Sequence, residues 1–326
     1  MRFALMVEGQ EGVSWEEWLS LARAAEDAGI EALFRSDHYR SIFRNPPAEA
    51  HDAWTSIAAA AAVTSGIRFG TMVSPVGYRH PALLARVCAT ADRISGGRVE
   101  LGIGGGWYER EHREHGFIFE DGPTRFSRLE EQVEIVIRSW TEDEFSFSGE
   151  HYRLEDCVAL PKPAQRPHPP LILGGAARPR GARLAARRAQ EYNTALIDEQ
   201  ECRLRRAALD EACRDQGREP SSLVLSLTTR CTVGADRAEA RERLERVRVL
   251  AAGSESARMS REEPWLTGTV DEVLERIGQF EAAGVERIFL HHLDHRDLDM
   301  VQLIGREIVP AITHSGRAPR AAAVSP

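Results

Sequence analysis

The sequence is poor in the residues that build disulfide frameworks and zinc sites. Its 326 residues include five cysteines, which are scattered and form no Cys-x-x-Cys pair. Such a set argues against both kinds of site, and we predict no bound metal. Long apolar runs are also missing, since none approaches the roughly 20 residues that cross a membrane. The N-terminal run Phe3–Val7 is too short for a signal-peptide core. These absences predict a cytoplasmic protein with no membrane partner.

Lysine is almost absent as well. Of the 42 basic residues, Lys162 is the only lysine, and 50 acidic residues bring the net charge to −8. Nucleic-acid-binding proteins are more often basic, so the charge disfavours that class and leaves a small molecule as the expected partner. The chain has no Gly-x-Ser-x-Gly or Walker A segment, and hydrolase and P-loop functions lose support for that reason.

Short β-rich runs alternate with amphipathic segments along the chain. Helical stretches separate nearly all of these runs, which implies a parallel sheet. Eight such units in about 310 residues predict an α/β fold, a (β/α)8 TIM barrel with insertions. A doubly wound sheet would place a glycine-rich fingerprint after the first strand, and Val7–Gly12 is not one. The strand candidates lie near residues 2–7, 32–36, 68–73, 99–103, 171–174, 192–195, 223–231 and 287–291.

Two helix starts carry a clear signal, because Ser14 with Glu17 and Thr269 with Glu272 have the spacing of capping boxes. No domain boundary is visible, so we predict one barrel domain over residues 1–313. Loops as long as its insertions are typical of lids or binding loops. The tail, rich in Ala, Pro and Ser, is predicted to be disordered. The insertions lie near 104–122, 140–169 and 251–268, and the tail is 314–326.

Chemistry in a barrel is found where the strands end and the next loops begin. Asp37-His38 follows the second strand, and an imidazole can donate or accept a proton near pH 7. The glycines of 102–106 follow the fourth strand and let a flat or anionic group come close. Gly174–Ala177 precedes a helix whose free N–H groups suit a phosphate. A structural histidine and two tight turns are the alternative interpretations.

Other polar residues carry weaker signals. His291 and His292 point to opposite faces if the last strand continues, so at most one faces the barrel axis. Trp54 lies in an alanine-rich helical segment and is predicted to be core. A metal site is conceivable in the segment after the fourth strand. Its histidines and glutamates do not form the motif His-Glu-x-x-His, however, and a polar helical surface is favoured there. The residues concerned are Glu109, Glu111, His112 and His115.

Taken together, several stretches resemble the luciferase-like monooxygenase superfamily, most closely its branch of oxidoreductases that use the deazaflavin coenzyme F420. The resemblance covers roughly residues 1–310, and it implies a barrel of the bacterial luciferase type. The matching stretches are Ser36–His38, Tyr78–Ala85, Ile94–Arg98, Leu101–Trp107, and Pro161–Pro163 followed by Pro169–Gly175.

The resemblance implies that the ring of F420, or of FMN, lies across the C-terminal mouth of the barrel. His38 would lie near the ring as a catalytic residue, with Asp37 beside it. The end of the third strand would support the back of the ring, with a non-prolyl cis peptide at Thr71–Met72. The implied cofactor contacts are Asp37, His38, Thr71, Met72, Val73, Gly105 and Gly106, with Gly174, Gly175, Ala176 and Ala177 at the phosphate.

The sequence departs from the sugar-phosphate dehydrogenases of this family. They carry a catalytic Glu just after the glycines of the fourth strand, where this chain has Trp107. The nearest carboxylate, Glu109, is therefore the second catalytic candidate. An indole at this place favours an apolar wall suited to a hydrophobic or conjugated substrate. Trp107 and His291 are the predicted substrate contacts.

Three functions follow from the resemblance. The leading hypothesis is an F420-dependent reductase that passes hydride to an activated C=C or C=N bond of a small molecule or natural product, with His38 supplying or orienting the proton. The second is an FMN-dependent monooxygenase that receives reduced flavin from a partner reductase. The third is a flavin-binding barrel without activity. The family often forms homodimers, so a homodimer is expected.

Overall fold

The structure, a computed structural model, describes residues 1–44, 46–251 and 265–314. A ring of parallel strands forms its centre. The strands of the described chain are β1 (Arg2–Val7), β2 (Ala32–Arg35), β3 (Arg68–Pro75), β4 (Val99–Gly104), β5 (Glu144–Ser148), β6 (Arg153–Val158), β7 (Leu171–Gly174), β8 (Glu191–Ala195), β9 (Val224–Gly234), β10 (Leu266–Thr269) and β11 (Arg287–His291).

Eight of these strands close into a barrel. Around the ring they follow the order β1, β2, β3, β4, β7, β8, β9 and β11, and every neighbouring pair is parallel. The ring closes where Leu5 of β1 pairs with Leu290 of β11. The predicted (β/α)8 barrel is confirmed, and so are all eight predicted strands.

Helices cover the outside of the barrel, and their starts follow the local sequence. The Ser14 hydroxyl accepts a hydrogen bond from the Glu17 N–H at 3.2 Å, while Glu17 accepts one from the Ser14 N–H, so this predicted capping box is present. The box at Thr269 and Glu272 is present too. The helices are α1 (Trp15–Asp27), α2 (Ala53–Ala62), α3 (Pro81–Ser95), α4 (Glu109–His115), α5 (Gly122–Thr141), α6 (Pro179–Arg188), α7 (Glu199–Asp215), α8 (Arg237–Ala251), α9 (Val270–Ala282), α10 (Leu298–Leu303) and α11 (Val309–His314).

Four elements lie inside or at the end of segments that the sequence assigned to insertions. Strands β5 and β6 form an antiparallel hairpin in the 140–169 insertion, and α4 lies in the 104–122 insertion. Strand β10 falls at the end of the 251–268 loop and pairs with the last part of β9. Residues 252–264 of that loop and residues 315–326 of the tail lie outside the described residues, and the domain limits stay a prediction.

Apolar side chains alternate between the two faces of the barrel strands and so form two cores, one outside the barrel and one inside it. Phe3, Leu5 and Val7 of β1 face outward and belong to the large core between barrel and helices. Ala4 and Met6 face inward, as expected for a strand with two buried faces. The inward apolar residues fill the middle of the barrel, and they are Ala4, Met6, Ala32, Phe34, Met72, Ile172 and Phe289.

Below this apolar layer, a buried ionic cluster occupies the N-terminal end of the barrel. The guanidinium of Arg287 lies 2.7 Å from a Glu100 oxygen and 3.1 Å from one of Glu191. Arg68 approaches the other Glu100 oxygen at 2.6 Å. Burial alone would raise the pKa of Glu100, but the two arginines outweigh it and lower this pKa to about 2. The barrel is therefore plugged at this end, and its opposite, C-terminal end is where a ligand can enter.

Candidate active site

His38 lies at the C-terminal mouth, just beyond β2, and hydrogen bonds a carboxylate 73 residues away in the sequence. Its Nδ1 is 2.6 Å from Oε2 of Glu111, whose side chain is completely buried. Burial by itself would lower the pKa of His38. The hydrogen bond and the negative charge of Glu111 outweigh burial, so the pKa of His38 is raised above its usual range. The imidazole is thus held closer to its protonated form near neutral pH.

The carboxylate of Glu111 also holds the backbone that follows His38. Its Oε1 accepts hydrogen bonds from the N–H groups of Tyr39 and Arg40, and the Tyr78 hydroxyl donates to Oε2. The prediction of a polar helical surface is therefore wrong for Glu111 and His112, which are both buried. The chain turns at Gly106, with φ +72°, and this turn lets α4 fold back over the mouth with one face inward.

A second imidazole and carboxylate face each other at the same mouth. Glu8 follows β1 and His291 ends β11, the adjacent strand, and Glu8 Oε1 lies 2.9 Å from His291 Nε2. Burial would raise the pKa of Glu8, but His291 and neighbouring His38 lower it to about 2. His292 points the other way, and burial lowers its pKa to about 4. The inward-facing member of the pair is therefore His291, as a substrate contact requires.

The carboxylate of Asp37 is held by hydrogen bonds from two residues that are distant in the sequence. Its Oδ2 accepts hydrogen bonds from the Ser74 hydroxyl at 2.7 Å and from Arg79, and Arg79 also binds Asp52 at 2.7 Å. The side chain is 1% exposed. Trp54, predicted as core, is buried and donates its indole N–H to the same Ser74. Asp37 thus anchors the segment that carries His38, and its predicted cofactor contact stays a prediction.

The end of β3 forms the floor of the mouth. The non-prolyl cis peptide lies between Met72 and Val73, so the prediction of Thr71–Met72 is wrong by one residue. The register of β3 against β4 slips between Thr71 and Ser74, the same stretch that contains the cis bond. Thr71 is buried, with its hydroxyl donating to the Gly102 carbonyl at 3.0 Å.

Glycine is required where this floor meets the neighbouring strands. A Cβ on Gly104 would lie 2.9 Å from Val73 Cγ2, and one on Gly174 would lie 3.1 Å from Val73 Cγ1. Side chains at either position would push Val73 out of place. The glycines at these strand ends therefore serve the packing of the floor, beside any contact with a ligand.

Trp107 stands at the rim, between the floor and α4. Its ring lies edge-on to His38, with centroids 6.0 Å apart, and stacks on Tyr108 at 5.1 Å. The indole is 55% exposed although it borders a buried imidazole. Glu109 is exposed, and within the described residues it makes no hydrogen bond to His38. The structure thus brings Glu111 to the imidazole in place of the predicted Glu109.

The loop Gly174–Ala177 lies between β7 and α6, as predicted. Ala177 has a positive φ of +48°, and its N–H donates to the Tyr192 hydroxyl at 2.7 Å. A Cβ on Gly175 would come within 2.8 Å of the same hydroxyl oxygen. No side chain in the described residues caps the start of α6. The first-turn N–H groups of this helix therefore have no side-chain partner, and Pro179 at its first position has no N–H; the predicted phosphate contact stays a prediction.

Among the described residues, no group of three or more His, Cys, Asp or Glu side chains is placed to hold a metal ion. No described helix is long and apolar enough to cross a membrane.

Comparison with known proteins identifies the family. The family described as luciferase-like monooxygenase matches residues 1–287, and the chain belongs to it. The barrel with its C-terminal mouth is the class of structure that this family shares with solved relatives. The chain is thus a luciferase-like oxidoreductase, and flavin or deazaflavin cofactors are used by its relatives.

The characterised relatives include F420-dependent and FMNH2-dependent enzymes. The chain is 27% identical over 91% of its length to an F420-dependent glucose-6-phosphate dehydrogenase from Microbacterium testaceum, covering 93% of that enzyme. It is 32% identical over 68% of its length to an F420-dependent hydroxymycolic acid dehydrogenase from Mycobacterium tuberculosis, covering 60% of it. It is 34% identical over 48% of its length to an FMNH2-dependent dimethylsulfone monooxygenase from Pseudomonas putida, covering 43% of that enzyme.

The similar solved structures likewise include a monooxygenase and an F420-dependent dehydrogenase. The monooxygenase RslO1 from Streptomyces bottropensis matches with a TM-score of 0.84 at 25% identity, over 96% of this chain and all of that one. An F420-dependent secondary alcohol dehydrogenase in complex with an F420–acetone adduct matches with a TM-score of 0.80 at 19% identity, over 95% of this chain and 98% of that one. The second likeness concerns the fold alone.

Sequence reasoning missed Glu8, Arg79 and the role of Glu111. Glu8 had a usable signal, because it follows the first barrel strand, where chemistry is expected. Arg79 lay inside a stretch quoted for the family resemblance, with nothing to show its carboxylate partner. Glu111 was noticed only as part of a metal-like cluster, since no local pattern links it to His38.

Proposed function

We propose that this protein is an F420-dependent oxidoreductase that works as a reductase on a small, conjugated molecule. The support comes from the raised pKa of His38, which favours an acid at the mouth that can supply a proton to a substrate receiving hydride. The two F420-dependent relatives described above also align over more of the chain than the FMNH2-dependent one.

The residues present fit a ribityl-phosphate cofactor. The uncapped start of α6 and the exposed Ala176 offer backbone N–H groups to a phosphate, whereas the Gly175 N–H already donates to the Asn193 carbonyl at 3.0 Å. Arg178 is exposed at the same helix start, whereas Arg180 is engaged by Glu130 at 2.7 Å. Arg178 is thus the side chain that would meet the longer anionic tail of F420. At the other end, the half-buried Val73 provides an apolar support for a flat ring.

When bound, the deazaflavin supplies hydride chemistry. His38 would give its proton to the substrate atom that becomes electron-rich, and Glu111 would compensate the imidazolium that forms when His38 is reprotonated. Trp107 would cover an apolar part of the substrate with its exposed face. His291, held by Glu8, would contact a polar group on the other side. Together these side chains orient the substrate and limit the access of water.

An FMN-dependent monooxygenase is the second candidate. It is favoured by the identity to the dimethylsulfone monooxygenase and by the likeness to RslO1, the solved structure with 25% identity. FMN ends at its phosphate, so this function would make no use of Arg178. A homodimer and a cytoplasmic location stay predictions.

Equilibrium binding of oxidised F420 and of FMN to the purified protein distinguishes the candidates. Quenching of tryptophan fluorescence is a suitable signal, because Trp107 lies at the mouth. We expect F420 to bind at micromolar or lower concentration and FMN to bind more weakly. Tight FMN binding with weak F420 binding would move the protein to the monooxygenase branch, and no binding of either would favour the inactive barrel.

A matched pair of variants locates the cofactor tail. Arg178→Ala should weaken F420 binding about fivefold, the order of one exposed charge-assisted contact, and leave FMN binding unchanged. Arg183→Ala removes an equally exposed arginine from the same helix and should change neither. Reoxidation of reduced F420 by conjugated enones and imines then tests the reductase direction.

A further inference from the structure

Both oxygens of the Glu111 carboxylate are occupied, and three of their four partners belong to the His38 segment. Oε2 accepts hydrogen bonds from His38 Nδ1, at 2.6 Å, and from the Tyr78 hydroxyl. Oε1 accepts hydrogen bonds from the N–H groups of Tyr39 and Arg40. Its side chain has no exposed surface. A buried carboxylate is costly unless it is paired, and every contact here bears on the position of one imidazole.

A carboxylate can only accept at this position, so the contact fixes the proton of His38 on Nδ1. The nitrogen that gains or loses a proton is then Nε2. Within the described residues, the hydrogen bond of the His38 ring is the one at Nδ1, and none is made by Nε2. The imidazole therefore keeps Nε2 for a ligand, in the tautomer that a carboxylate hydrogen bonded to the other ring nitrogen selects in other histidine sites.

We propose that Glu111 is the positioning residue of the site: it locks His38 in the Nδ1–H tautomer and presents Nε2 to the barrel mouth. The effect on turnover rests on the proposed function of His38. The tautomer itself does not, because it is a property of the free protein.

Other charges also face His38, and they set the background for a test. Glu8 approaches from the end of β1, with His291 beside it, and Asp37 lies on the same segment as His38, balanced by Arg79. From α4 and the residue before it come Glu111 and the Tyr108 ring, whose centroid is 6.3 Å from the imidazole. Glu111 is the charged group in direct contact, so its removal should change His38 most.

Nitrogen-15 NMR of histidine-labelled protein reports the tautomer directly. His38→Gln identifies the His38 signals by their loss. In the wild type we expect the Nδ1–H form above the titration midpoint. Glu111→Gln should abolish this preference and lower the midpoint of His38 by about one pH unit or more, the usual effect of losing an adjacent opposite charge.

Glu114→Gln is the matched control. Glu114 lies on the same helix but binds Arg40 and Arg110 at the surface, so the tautomer and midpoint of His38 should not change. An unaltered tautomer and midpoint in Glu111→Gln would overturn the proposal. If that variant does not fold, the wild type decides, because an Nε2–H tautomer there is incompatible with the proposed role.

Turnover provides the second readout. With reduced F420 and an accepted enone, Glu111→Gln should lower kcat about 10- to 100-fold, keep KM within about twofold, and move the pH limb of His38 to lower pH. Glu111→Asp, which keeps the charge, should restore part of kcat. A fall in kcat with no shift of the pH limb would indicate a purely structural role. Failure of the wild type to use F420 would refute the proposed function, while the NMR result would still decide the role of Glu111.

Discussion

Both ends of this barrel bury carboxylates, but the side chains that pair with these carboxylates differ between the two ends. At the N-terminal end, Glu100 and Glu191 are held by Arg287, a guanidinium that stays charged at any ordinary pH. At the C-terminal mouth, Glu111 and Glu8 are instead paired with the imidazoles of His38 and His291.

The difference lies in where each group sits on its strand. The bottom cluster is made by residues at or next to the first positions of strands, which hydrogen bonding to neighbouring strands holds in place. The mouth residues follow the ends of β1 and β2 or lie on the inserted α4, and loops position them. An arginine–carboxylate cluster therefore closes one end, and imidazole–carboxylate pairs lie at the open end.

The largest effect is expected at the plug. Arg287→Ala leaves two carboxylates buried without their main partner, and this should lower the free energy of unfolding by about 3–5 kcal/mol. Urea denaturation measures the loss. Lys162→Ala removes a half-buried cation elsewhere and serves as a control with a smaller effect. An unchanged unfolding midpoint in Arg287→Ala would mean that the plug contributes nothing to stability.

The same plug should be sensitive to acid. The folded-state pKa of Glu100 is about 2, below its unfolded value of about 4.5. Its contribution is therefore present above pH 4.5 and is lost as the pH falls toward 2. Unfolding free energy measured across this range should decline less steeply in Glu100→Gln than in the wild type.

The next effect should appear at the mouth, in turnover. His38→Ala removes the proton donor and should lower kcat on the order of 100-fold, with a much smaller change in F420 affinity. Steady-state kinetics and the quenching titration measure the two quantities. His168→Ala alters a histidine outside the mouth, beside Trp140, and should leave kcat unchanged. If His38→Ala turned over substrate as fast as the wild type, the catalytic role of His38 would be refuted.

The smallest effect should come from Tyr78. Tyr78→Phe deletes one hydrogen bond to Glu111 but keeps the ring packed on Phe117 at 4.8 Å. We expect a loss of about 1 kcal/mol or less in stability and a shift of the His38 midpoint that is smaller than in Glu111→Gln. Thermal unfolding and the histidine titration measure both. A shift as large as that of Glu111→Gln would show that the hydroxyl, and not the carboxylate, governs the imidazole.

Much of the fold could be predicted because its signals are local. The capping boxes at Ser14 and Thr269 and the eight β-rich runs depend on residues a few positions apart. The hairpin of β5 and β6 was missed although Phe145 and Phe147 alternate with polar residues, because the strands are short and stand outside the repeating βα units. The cis peptide at Met72–Val73 was placed one residue early, because its position was taken from the family resemblance and no local pattern marks it.

The sequence by itself determined the barrel and the strand ends, and it singled out His38, Gly174–Ala177 and His291 as candidate site positions at those ends. Only the tertiary structure decided which carboxylate meets which imidazole. Glu109 and Glu111 are two residues apart and chemically alike, and the inward fold of α4 buries one against His38 while the other faces solvent. Pairing across 73 residues depends on how the loops close over the barrel, which no local pattern encodes.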